Sequence, residues 1–166
     1  MRIAAPITLA CFVLMAAVSG GQAADKPDDS HALDGVSTGK VVWDITTGDP
    51  ETLGVYLSVV RETYDDLVRQ DVEPKMVLAI HGRPVVFLQE DLSNLPLEDL
   101  PHVEEVNEIL DGIKMLPGVR IEVCSIANRL MGVDNEAIRD GFHVVGNTWV
   151  SLIGYQARDY AVIPVQ

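Results

Sequence analysis

The chain reads as an α/β protein, a three-layer α/β/α sandwich around a mostly parallel sheet of about five strands. Three observations predict this. Short β-branched runs alternate with segments of helical period along most of the chain. The run "MVLAI" is apolar at every position, as in a strand covered on both faces. The links between strands and helices are short, which favours right-handed crossovers and helices layered on the sheet.

The elements follow in order. "KVVWDIT" is a first strand, rich in β-branched and aromatic residues. "GDPETLGVYLSVVRETYDDLVRQ" is a helix: Asp49 caps it, Pro50 fits the first turn, and Glu51 suits its positive end. Leu53, Leu57, Val60, Tyr64 and Leu67 form its apolar stripe. "KMVLAIHG" is a second strand, and "RPVVFLQEDL" fits either a short strand or a loop with a helical turn. "LPHVEEVNEILDGIKML" is a long helix with Val103, Val106, Leu110 and Ile113 on one stripe, closed by Pro117-Gly118. "VRIEVC" is a third strand, "SIANRLM" and "NEAIRDG" are short helical pieces, and "FHVVG" is a fourth strand. "NTWVSLIGYQARDY" is a last helix. "AVIPV" is a final strand, which Pro164 places at a sheet edge.

The chain has 166 residues. Its first 23 read as a secretory signal: Arg2 at the start, an apolar run from Ile3 to Val18, then Gly21 and Ala23 suited to cleavage after Ala23. The run is about 16 residues, short of the roughly 20 that span a bilayer. A periplasmic protein without a membrane anchor is expected, with residues 24–39 an exposed N-terminal arm and residues 40–166 one domain. Of two cysteines, Cys11 leaves with the signal, so Cys124 has no intrachain disulfide partner. Asp+Glu number 25 against 12 Lys+Arg. Such acidity repels phosphate backbones and argues against nucleic-acid binding. No basic amphipathic segment suggests a membrane surface.

Ligands gather at the carboxyl ends of strands in such sheets. Three segments stand there. "TTGDPET" is a poor phosphate cradle: Asp49 and Glu51 repel anions, and Pro50 lacks an N–H. "HGRP" places His81 and Arg83 directly after the second strand, where they are candidates to stabilise a thiolate or bind a ligand. A structural histidine beside a solvent-facing arginine is the alternative. Cys124 ends the third strand, with Ser125 opening the next helix. A thiol at a helix start is biased toward thiolate, the nucleophilic form. A buried small hydrophobe is the alternative. The four histidines, His31, His81, His102 and His143, show no metal-ligand spacing, and no cofactor motif is present. Trp149 shares an apolar stripe with Leu152 and Ile153, which predicts core, with subunit contact as the alternative.

The order strand, helix, strand ending in "HG", long helix, "LPGVRIEVCSIANRLMGV" and closing "GYQARDYAVIPV" resembles the DsrE/DsrF-like sulfur-relay family, here as an exported subgroup. The resemblance covers roughly Lys40 to Val165. It implies an α/β fold that associates as trimers or hexamers, and a cysteine after the third strand that carries sulfur as a persulfide. Cys124 stands at that position. The expected function is a periplasmic carrier that takes sulfane sulfur from a donor and passes it to a partner thiol. The alternative is a non-catalytic oligomeric binding module in which Cys124 only fills space.

Overall fold

The strand order decides which helices lie on which face. A computed structural model describes residues 26–166; the segment read as a signal peptide lies outside the described residues. Five strands form one sheet in the order β4-β3-β2-β1-β5, all parallel. They are β1 (Thr38–Ile45), β2 (Glu73–Ile80), β3 (Val119–Cys124), β4 (His143–Val145) and β5 (Ala161–Val165). From β1 to β4 the chain steps one strand at a time in one direction. Right-handed crossovers then put α1 (Pro50–Arg69), α2 (Leu100–Lys114) and α3 (Ser125–Met131) on the same face. From β4 the chain returns across the whole sheet to β5. Reversing direction while keeping the hand places α4 (Thr148–Gln156) on the opposite face.

The two faces are unequal. On the first, Val41, Trp43 and Ile45 of β1, Met76, Leu78 and Ile80 of β2, and Ile121 and Val123 of β3 pack under Leu53, Leu57, Val60, Val103, Val106 and Leu110. Burying each such side chain contributes about 1.5–3 kcal/mol. On the second face only Val42, Val77, Ala79 and Tyr155 are buried together.

Local signals explain the boundaries. Asp49 caps α1, its Oδ2 accepting from the Thr52 N–H at 2.8 Å, with Pro50 at the first helical position. Gly118 turns the chain from α2 into β3 with φ of 78°, and a Cβ there would stand 2.4 Å from the Pro74 carbonyl oxygen, so only glycine fits. "RPVVFLQEDL" resolves into a 3₁₀ helix, Arg83–Leu88, followed by an antiparallel bridge between Gln89 and Ile138. β5 pairs only with β1 and is an edge strand, as Pro164 indicated. In the segment read as an N-terminal arm, Lys26 pairs with Glu62 and Asp66 of α1, and Gln70 bonds Asp29.

Two expectations are corrected. "NEAIRDG" is helical only over Asn135–Ala137, where Asp134, Glu136 and Asp140 leave no apolar stripe to bury. Trp149 is not core: it is 66% exposed, as Ile153 is 68% exposed. Among the described residues α4 has a sheet on one side and no helix on the other, which leaves that side open.

Candidate functional site

The return crossover creates the site. β3 leads into α3 on one face, and neighbouring β4 leads into α4 on the other. Between two such strands a crevice opens at their carboxyl ends, the usual ligand position in open α/β sheets. Here it is a cavity of about 270 Å³. Cys124 lies in its floor, His81 and Gly82 on one side, and Leu130, Met131 and Trp149 at its apolar rim.

Cys124 is both the last residue of β3 and the N-cap of α3. It pairs across with Val145 of β4, so the start of α4 lies close by. Asn147 caps α4, its Oδ1 accepting from the Trp149 N–H at 2.9 Å. Two helix starts therefore aim donors at one sulfur. Burial by itself pushes the Cys124 thiol up. The Thr148 hydroxyl and the backbone N–H groups of Thr148, Ala127 and Ile126 outweigh it and hold the thiol below its ordinary value of 9.0. Residue exposure is only 4%, so the sulfur is recessed yet borders the cavity.

His81 reaches the same cavity through register. Ile80 of β2 lies beside Val123 of β3, and His81 and Cys124 are the next residues on their strands. Its N–H continues the ladder by donating to the Ile45 carbonyl at 3.0 Å. Gly82 then turns the chain away with φ of 72°. The imidazole Nε2 lies 2.7 Å from Asp44 Oδ1, across β1. Val42 faces α4, so strand alternation puts Asp44 on that same face, where it meets His81.

The other two sequence candidates go elsewhere. Arg83 is exposed and lays its stem over Gly48, toward the β1–α1 loop and away from the cavity. Ser125 donates its hydroxyl to the Gly146 carbonyl at 3.1 Å, tying the start of α3 to the loop before α4. Two residues that the sequence pattern did not single out belong to the site. Asp44 had a signal: a carboxylate inside the strand "VVWDI" needs a partner. Thr148 had one too, in the capping pair Asn147-Thr148 directly after a strand. Among the described residues no group of three His, Cys, Asp or Glu is placed to hold a metal ion, and no helix is long and apolar enough to cross a membrane.

Fold and site define a class: an all-parallel α/β protein with a thiol recessed at a strand-to-helix junction, beneath the starts of two helices. Among solved structures the chain is similar to MTH1491 from Methanobacterium thermoautotrophicum, a protein of unknown function. The TM-score is 0.57 at 23% identity, covering 76% of this chain and 99% of that one. It is also similar to the ychN protein from E. coli, with TM-score 0.49 and 15% identity over 76% of this chain and 99% of that one. An uncharacterized protein of Aquifex aeolicus (strain VF5) is 24% identical over 125 residues, or 75% of this chain. The chain spans about half the length of that curated relative, 55%. No family model matches. The likeness to MTH1491 shows a shared α/β fold, the kind that the DsrE/DsrF-like resemblance implied.

Proposed function

We propose that the protein handles sulfane sulfur in the periplasm, carrying it as a persulfide on Cys124 and passing it to a partner thiol. One observation carries the reading. The Cys124 sulfur sits at the floor of a cavity with a hydroxyl and three backbone N–H groups around it, donors that favour an anionic sulfur. The signal-like start of the chain and the DsrE/DsrF-like pattern around "GVRIEVC" support the compartment and the chemistry. Recession of the thiol suits an oxidising compartment, because bulky oxidants and other proteins' disulfides reach it poorly. The partners are a sulfur donor, a sulfur acceptor and further copies of this chain, as a trimer or hexamer. Exposed Trp149, Val150 and Ile153 on α4 favour such self-association.

The test is intact mass after incubation with polysulfide. The carrier gains one sulfur atom, and Cys124→Ser does not. A wild-type mass that never changes ends the reading.

A packing role for Cys124 is the second reading, favoured by its contact with the larger core beside Val123 and Ala127. Alkylation separates the two. A carrier's thiol reacts in the folded protein, whereas a packing thiol reacts only on unfolding.

A further inference from the structure

We infer that Asp44 is a positioning residue that fixes His81 in one tautomer, and that His81 Nδ1 is the proton acceptor and donor for sulfur transfer at Cys124. This rests on the carrier reading and names the part of it that moves the proton.

Hydrogen-bond capacity decides which tautomer His81 holds. A carboxylate only accepts. The ring nitrogen facing Asp44 at 2.7 Å therefore carries the hydrogen, and that nitrogen is Nε2. In the neutral ring this leaves Nδ1 with a free lone pair. His81 lines the cavity that holds Cys124, and the two residues directly follow Ile80 and Val123, the last pair in the register of β2 and β3. Neighbouring strands run about 4.8 Å apart, a separation that short side chains bridge. A carboxylate behind the ring also stabilises the imidazolium that forms when Nδ1 takes a proton.

The chemistry balances. In unloading, an acceptor thiol attacks the outer sulfur of Cys124–S–SH. A new S–S bond forms, the Cys124 Sγ–S bond breaks, and the electron pair leaves on Sγ as thiolate. The acceptor becomes the persulfide, and the thiol proton passes to His81 Nδ1. In loading, the Cys124 thiolate attacks the outer sulfur of a persulfide donor. The donor leaves as thiolate and takes the proton back from His81. One sulfane sulfur has moved, and no oxidant or reductant is consumed.

Other ionisable groups near the ring do not compete for this role. Arg83, on the 3₁₀ helix after β2, runs out over Gly48. Glu122, two residues before Cys124 on β3, is held by Arg120 and Tyr155. The cavity residues supplied by α3 and α4 are not ionisable.

The experiment uses the full chain. Nitrogen-15 NMR of the imidazole reads the tautomer. Wild type is expected to show Nε2–H. Asp44→Asn, whose amide can donate to Nε2, is expected to show Nδ1–H. Polysulfide then loads Cys124, and 2-mercaptoethanol unloads it across about pH 5 to 8. His81→Gln is expected to slow unloading by about 100-fold or more and to change the shape of the rate–pH profile. Asp44→Asn is expected to slow it by about tenfold or more. A wild-type Nδ1–H tautomer, or unaltered unloading in His81→Gln, overturns the relay while leaving the carrier intact. Failure of wild type to load ends the carrier and with it sulfur transfer through His81; an Nε2–H tautomer together with a changed pH profile of Cys124 alkylation by iodoacetamide in His81→Gln would still show a proton link between His81 and the Cys124 thiol. If Asp44→Asn does not fold, the wild-type tautomer and His81→Gln still decide.

Discussion

The two faces of the sheet differ in what covers them and in what they carry. Under α1, α2 and α3 the sheet presents Val, Ile, Leu, Met and Trp side chains, all sealed. Under α4 it presents Asp44, Glu122 and His81 beside a much smaller apolar group. One face holds the fold together. The other is thin enough to admit polar groups, a cavity and an exposed helix side. The difference follows from the reversal of chain direction after β4, which among the described residues sends one helix alone to the second face.

The greatest loss of stability is expected on the thick face. Phe87 is fully buried there. Phe87→Ala should cost about 3–5 kcal/mol, read from urea unfolding. On the thin face, half-buried Val162 packs beside Val42 and Val77, and Val162→Ala, a smaller truncation, should cost about 1 kcal/mol. Equal costs would show that the faces contribute alike.

Next comes the buried carboxylate. Glu122 is 4% exposed and accepts from the Tyr155 hydroxyl at 2.8 Å and from Arg120 Nε at 2.8 Å. Burial alone would raise its pKa, but bonds from Arg120, Ser151 and Tyr155 hold it below the ordinary 4.5. Tyr155→Phe should therefore cost about 1–3 kcal/mol at neutral pH. The sign in acid is fixed by linkage. A carboxyl lowered in the folded state stabilises above its unfolded value, and that contribution is lost as pH falls through the folded value. The Tyr155→Phe penalty should thus shrink in acid, and unfolding curves for both proteins on either side of the carboxylate range check it. A pH-independent penalty would mean the hydroxyl only packs.

A smaller effect tests the donors around sulfur. Thr148 is 1% exposed, and valine keeps its shape while removing the hydroxyl. Thr148→Val should cost about 1 kcal/mol and raise the Cys124 thiol toward its ordinary value, slowing alkylation at neutral pH. Because the wild-type thiol is lowered on folding, the folded state sheds its proton first, and stability rises with pH between the folded and ordinary values. Wild type should therefore gain on Thr148→Val as pH climbs toward 9.0 and level off above it. A gap that stays flat would deny the thiolate its donors.

The same asymmetry explains what could be read from sequence. The thick face was legible because its residues obey one rule, burial at a fixed period. Leu53, Leu57, Val60, Val103, Val106 and Leu110 were on the stripes that periodicity marks. Cys124 and His81 were legible as residues at strand ends. That they line one cavity was not, because β2 and β3 become neighbours only through the strand order, which local patterns do not encode. Asp44 has no partner within its own strand; His81 comes to it from the end of the neighbouring one. Trp149 misled for a related reason. An apolar stripe marks a face that needs covering, and nothing in its spacing says whether this chain or another copy covers it.

The smallest effect on folding sharpens that last point. Trp149, Val150 and Ile153 are each more than 60% exposed on one helix, 66%, 63% and 68%. Their removal costs the single chain little buried area, so Trp149→Ser should change its unfolding free energy by no more than about 0.5 kcal/mol. If further copies of the chain cover this side of α4, the same substitution should dissociate the assembly, because a large aromatic at an interface carries a disproportionate share of binding. Sedimentation of wild type and Trp149→Ser at equal concentration reads the difference. Trp149 also stands on the rim of the Cys124 cavity, so dissociation and a change in thiol alkylation should occur together. Dissociation with unaltered alkylation would separate the α4 surface from the thiol site. The thin face would then hold two independent functions.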